Sequence, residues 1–194
     1  MKHHLIVAVA SLVAGCATTP APAPADAHFA RLSSLCGKAF AGRISSPPVA
    51  EDRDFSGKAL VMHVRQCTTD TIRIPFHVGT DRSRTWVVTR TAAGLRLKHD
   101  HRHADGSEDR LTQYGGDTLL PGSAARQTFP VDRSTRDLFV REARPQSLAN
   151  IWAIEVEPGK FFAYELRRAN RFFRVEFDLT TPIAPPPPPW GATD

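Results

Sequence analysis

The chain has 194 residues, of which 41% are apolar and 23% charged, with a formal net charge of +5. That length carries one ordinary domain with a real core. The mild charge excess, with acids interleaved among the arginines, excludes a dedicated nucleic-acid binder.

The chain opens with Lys2, two histidines and an apolar run from Leu5 to Val13, followed by small residues up to Cys16. A charged start, a short apolar centre and a small-residue cleavage region are the parts of a secretory signal. The apolar run is about nine residues, where a transmembrane helix takes roughly 20. Val13-Ala14-Gly15-Cys16 resembles the lipobox of bacterial lipoproteins. The resemblance implies cleavage before Cys16 and lipidation of its sulfur. Several acyl chains, at about 0.8 kcal/mol per buried CH2, would give a permanent membrane anchor. It also implies a cell-envelope location with the domain in the periplasm. Because Ala17, and not an aspartate, follows the cysteine, the resemblance favours the outer membrane over the inner. The alternative is an ordinary secretory signal with an incidental Cys16. On the lipoprotein reading, residues 1–15 are the signal peptide and 16–27 the lipidated cysteine with a Pro/Ala tether. Such a tether is extended, at about 3.1 Å per residue.

Residues 28–181 read as a single β-rich domain. Asp26 to Ala41 places Phe29, Leu32, Leu35, Cys36 and Phe40 on one helical stripe, with Asp26 as cap and Gly42 as stop. After a loop over Ser45 to Phe55 the apolar period becomes two. Strands are expected over Ala59–Cys67, Thr71–Val78, Arg84–Thr91 and Leu95–His103, then shorter ones at Leu111–Tyr114 and Arg126–Phe129. Ser134, with Asp137 three residues on, marks a short helix carrying Leu138 and Phe139. Ile151–Val156, Phe161–Arg167 and Arg171–Leu179 close the domain as a meander with a Pro158-Gly159 turn. Pro182 to Asp194, with five prolines at 185–189, is expected to be a disordered polyproline II tail. With Cys16 used as anchor, Cys36 and Cys67 are left as a pair. In an oxidising compartment they predict one disulfide, worth roughly 3 to 4 kcal/mol. Buried free thiols or a metal pair are the alternatives.

A helix followed by antiparallel hairpins predicts a mainly β barrel or sandwich. The order is similar to a lipocalin or other calycin-type barrel, although the Gly-x-Trp signature of true lipocalins is absent near the first strand. The strings RIPFHVG, GLRLKHDHRHADGSED and RFFRVEFDL resemble an uncharacterised proteobacterial exported protein family. That resemblance implies the compartment and no activity.

The most chemical stretch is Leu95 to Asp109. In a strand, Leu95, Leu97, His99, His101 and His103 share one face and approach a barrel mouth from inside. His99, His101 and His103 are candidate ligands for a transition metal; a polar mouth of hydrogen-bonded histidines is the plainer alternative. His63 and His77 lie on neighbouring strands, with His77 opposite the apolar face of its own strand. Asp105 to Asp109 lacks EF-hand spacing and reads as a solvated acidic turn. Arg82-Ser83-Arg84 is a loop suited to an anion, and the Tyr114-Gly115-Gly116-Asp117 segment reads as a bend. Arg174, Glu176, Glu165 and Arg167 suggest cross-strand ion pairs or a polar-lined cavity. No nucleophile elbow and no nucleotide loop are present, so no catalytic residue is assigned and no cofactor is predicted beyond a possible metal. The expected function is non-enzymatic: a lipid-anchored envelope lipoprotein binding a small ligand or a protein partner. The alternatives are a metal-binding protein or metal-dependent hydrolase, and a structural envelope component.

Overall fold

The computed structural model describes residues 21–192. Cys16, the signal peptide expected over 1–15 and the start of the tether lie outside the described residues.

The first helix, α1 (Pro24–Ser33), starts on a proline and buries His28, Phe29 and Leu32. Asp26 does not cap it; the carboxylate pairs instead with Arg90 in the first turn. The helix also stops well before Ala41. Gly37, with φ +80°, turns the chain after it. Residues placed on the helical stripe by spacing then become a strand, β1 (Ala39–Ile44). Phe40 fits either period. Pairing decides between them, because β1 is bonded along both edges, to β2 (Leu60–His63) and to β11 (Arg171–Asp178). Gly42, expected as a helix stop, lies inside β1, where the Phe177 ring occupies the space of a side chain.

Next come β3 (Gln66–Cys67), β4 (Thr71–Val78), β5 (Asp81–Thr91), β6 (Gly94–His101), β7 (Tyr114–Asp117) and β8 (Arg126–Pro130). The helix α2 (Arg133–Arg141) and a 3-10 turn at Pro145–Ala149 precede β9 (Ile151–Glu157), β10 (Phe161–Arg168) and β11. The sheet runs β7-β6-β5-β4-β2-β1-β11-β10-β9-β8, antiparallel throughout, with β3 attached to β4 alone. This is a nearly closed barrel of ten strands, mainly β as expected and consistent with a calycin-like architecture. The first and last strands are knitted together, and the open seam lies in mid-chain between β7 and β8.

The N-terminus of α2 bridges that seam. Asp132 N–H donates to the Gly115 carbonyl at 3.1 Å, and Gly115 N–H donates to Thr135 Oγ1 at 2.7 Å. Asp132 is the true N-cap, accepting from Thr135 N–H at 2.8 Å, so the expected start at Ser134 is corrected to Arg133. Lys98 reaches across to Asp132 Oδ2 at 2.6 Å. The Tyr114–Asp117 segment is therefore a strand rather than a bend. At Gly116 a side chain would run into the Pro130 carbonyl, so only glycine lets the seam strands approach.

Side chains alternate as a barrel requires. Leu95 and Leu97, Phe162 and Tyr164, Phe173, Val175 and Phe177 point inward and are buried. α1 plugs one end, where Arg31 donates to the Val156 carbonyl at 2.9 Å and the Arg90 guanidinium lies over the Phe29 ring at 4.1 Å. The Cys36–Cys67 disulfide ties the turn after α1 to β3, as expected. The outer face carries the predicted ion pairs, with Arg174 linking Glu155, Glu165 and Glu176. Burial would raise the Glu165 pKa, but hydrogen bonds from Arg126, Arg174 and Arg167 outweigh it and hold the carboxyl down at about 2.

The Pro-rich segment after β11 was expected to be disordered. Instead it lies along the outer wall. Ile183 N–H donates to the Ala39 carbonyl at 2.9 Å, Trp190 N–H to the Arg82 carbonyl at 3.1 Å, and Arg82 donates to the Pro188 carbonyl at 3.0 Å. A polyproline strap has little backbone entropy to lose, so a few such bonds suffice to seat it.

Candidate functional site

At the end opposite α1, the ends of β6 and β10 and the starts of β5, β9 and β11 converge on a cavity of about 420 Å³. That volume lies in the range of small-ligand pockets. The cavity has three tiers: an aromatic floor, a hydrogen-bonded middle and a basic rim.

The floor is built from inward positions one step above the apolar core. Trp86 stacks on Tyr164 with centroids 4.5 Å apart, and Phe76 stacks on Trp86 at 4.8 Å. Trp152 completes the wall beside His99 and Tyr114. Flat faces at this depth give a planar ligand a stacking surface.

The middle tier is a histidine–tyrosine chain. His99, 2% exposed, lies between two partners: Nδ1 is 3.0 Å from the Tyr114 carbonyl and Nε2 is 2.8 Å from the Tyr164 hydroxyl. A carbonyl only accepts, so the proton sits on Nδ1 and Tyr164 donates to Nε2. The Tyr114 hydroxyl meets His101 Nε2 at 3.1 Å. Burial, reinforced by neighbouring His101, pushes the His99 pKa down to about 3; burial and then Arg84 push that of His101 to about 4. Burial raises both tyrosines above their usual value. At neutral pH this tier is uncharged, a set of polar contacts rather than a store of reactive anions.

The rim is basic. Arg84 is paired with Asp81 and lies over the Phe55 ring, and Arg171 is paired with the buried Asp52. Arg168 donates to Asn150 Oδ1 at 3.1 Å, a neutral partner. Burial, with Arg171 beside it, lowers the Arg168 pKa. Arg144 stands at the same edge, and Asp109 is the acid in the lining.

Of the three candidate metal ligands, His99 and His101 do point into the mouth, with ring centroids 6.5 Å apart. His103 does not. The strand ends at His101, and His103 lies exposed in the following turn, 3.9 Å from Asp109. The turn is set by local bonds: His103 N–H donates to the Ser107 carbonyl and Gly106 N–H to the His103 carbonyl. The three rings therefore do not converge, and among the described residues no group of three His, Cys, Asp or Glu side chains is placed to hold a metal ion. Asp105 accepts from Ser107 in that same turn. His63 and His77 lie outside the cavity. His77 is on the outer face of β4, and the charge of His63 and Arg82 acts on it there. Arg82, Ser83 and Arg84 lie at the start of β5 and not in the expected loop, and Ser83 N–H donates to the Asp81 carboxylate.

Sequence reasoning missed Arg168, Arg171, Trp152 and Tyr164 as site residues. The signal was present: Phe162, Tyr164, Leu166 and Arg168 continue one inward face. This is the same extension that singled out His99 and His101. A second cleft of about 400 Å³ lies under the C-terminal strap, around Asp100, Arg73, Arg102 and Trp190. There Asp100 is neutralised by both arginines. Among the described residues no helix is long and apolar enough to cross a membrane. Neither a protein-family model, nor a curated protein, nor a solved structure matches the chain.

Proposed function

We propose that this chain is a non-enzymatic, lipid-anchored envelope lipoprotein whose barrel binds a small ligand at its mouth. The observation that carries the binding role is the cavity itself. One end of the barrel is filled by α1, while the other keeps about 420 Å³ lined by stacked aromatic rings and neutral polar groups. A barrel selected only for stability would fill that space, since unfilled core volume costs stability. The anchor reading is supported by Val13-Ala14-Gly15-Cys16 and by a disulfide suited to an oxidising compartment.

Binding is tested with N-phenyl-1-naphthylamine, an uncharged planar fluorophore, added to the disulfide-intact protein. Saturable one-to-one binding with quenching of tryptophan emission is expected, and Leu166→Trp, which fills the cavity, should abolish it. Absence of saturable binding overturns the ligand role. For the anchor, labelled palmitate should enter the wild-type chain and not Cys16→Ala; equal labelling would sink that part.

A further inference from the structure

We infer that the ligand carries a single anionic group on a flat apolar body, the body stacked against Trp86 and Trp152 and the anion held at the rim by Arg168 and Arg144. This rests on the reading of the mouth as a ligand site and names the chemistry of its occupant.

The argument is one of charge balance within the cavity. Four arginines line it, Arg84, Arg144, Arg168 and Arg171, against one acid, Asp109. Two of the four are spoken for: Asp81 neutralises Arg84, and the buried Asp52 neutralises Arg171. Arg168 and Arg144 differ. Among the described residues neither enters an ion pair: the side-chain partner of Arg168 is the amide oxygen of Asn150, and the Glu51 carboxylate acts on it only from beyond ion-pair distance. A half-buried guanidinium facing a neutral acceptor, with the Arg171 guanidinium beside it, is costly for the free protein. A ligand anion removes that cost. Asn150 is itself buried and fixes the approach of Arg168, leaving the rest of the planar fork for a carboxylate, sulfonate or phosphate oxygen pair.

The remaining tiers define the rest of the molecule. His99, His101, Tyr114 and Tyr164 are uncharged at neutral pH and already bonded to one another, so they offer no countercharge to a cationic ligand. Asp109, the acid of the lining, acts on His101. The floor is aromatic and apolar, so the buried portion of the ligand is flat and uncharged.

The test compares two probes with the same aromatic body on the full chain with its disulfide intact. 8-Anilino-1-naphthalenesulfonate carries one anionic group; N-phenyl-1-naphthylamine carries none. The anionic probe should bind about tenfold tighter or better, since a hydrogen bond to a charged group contributes at least that much. Arg168→Met should lower its affinity about tenfold and leave the neutral probe within twofold. Arg144→Gln, at an exposed position, should act in the same direction and serves if Arg168→Met does not fold. Equal affinity for the two probes, or an anionic probe indifferent to Arg168→Met and Arg144→Gln, overturns the inference while the ligand site survives. Failure of both probes to bind wild-type protein overturns the site and the inference together.

Discussion

The two ends of this barrel are made from the same strands and finished in opposite ways. At one end α1 drives Phe29 and Leu32 into the interior, and the strand ends there supply Leu95, Val156 and Phe162. At the other, β6 and β10 change character within two or three inward positions, to His99 and Arg168, and β11 begins there with Arg171. The plugged end is packed with buried side chains and covalently tied. The mouth is polar, aromatic and held by hydrogen bonds and buried ion pairs. The contrast separates stability from binding along a single axis: what fills the plug stabilises the fold, and what lines the mouth selects a ligand.

The largest break in that contrast is expected at the plug. Phe29→Ala removes a buried ring and should cost about 3 to 5 kcal/mol in urea unfolding, with probe affinity at the mouth unchanged in the protein that remains folded. A loss below about 1 kcal/mol would mean that α1 is dispensable. Next, Cys36→Ser with Cys67→Ser should cost about 3 kcal/mol by freeing the loop between them, measured as a lowered urea midpoint.

Acidification addresses both ends at once. Burial depresses the histidines, His28 at the plug to about 4 and His99 and His101 at the mouth to about 3 and about 4, against 6.5 in the unfolded chain. Between pH 6.5 and 4 the unfolded chain binds protons that the folded protein refuses. Stability should therefore be level above pH 7 and fall steadily as the pH drops through that window, as read by Tm against pH. A flat profile down to pH 4.5 would contradict the neutral, buried histidine tier. The smallest effect is at the mouth. Tyr164→Phe removes the donor to His99 Nε2 and should cost about 1 kcal/mol, since neighbouring packing is kept. A loss comparable to Phe29→Ala would make the mouth structural after all.

Those expectations also mark what the sequence made legible. β4 was readable to its ends because Ile72, Ile74, Phe76 and Val78 alternate with Arg73, Pro75 and His77 between turn signals. The inward direction of His99 and His101 followed from their phase with Leu95 and Leu97. β1 was not readable: Phe40 sits at helical spacing from Phe29 and Leu32, and only pairing with β11, far away in the chain, makes it a strand. His103 failed because alternation cannot tell where a strand ends. The basic rim was hidden for a related reason. Arg144, Arg168 and Arg171 lie at element ends, where an arginine looks like an ordinary solvated turn residue until closure of the barrel gathers those ends around one opening.

The chain enters the barrel at the plugged end, since α1 begins with Pro24 and follows everything N-terminal to it. The mouth opens at the opposite end of the barrel. On the proposed anchoring at Cys16, the closed end of the domain is the one that the tether joins. A ligand would then enter at the end of the barrel away from the point where the described chain begins.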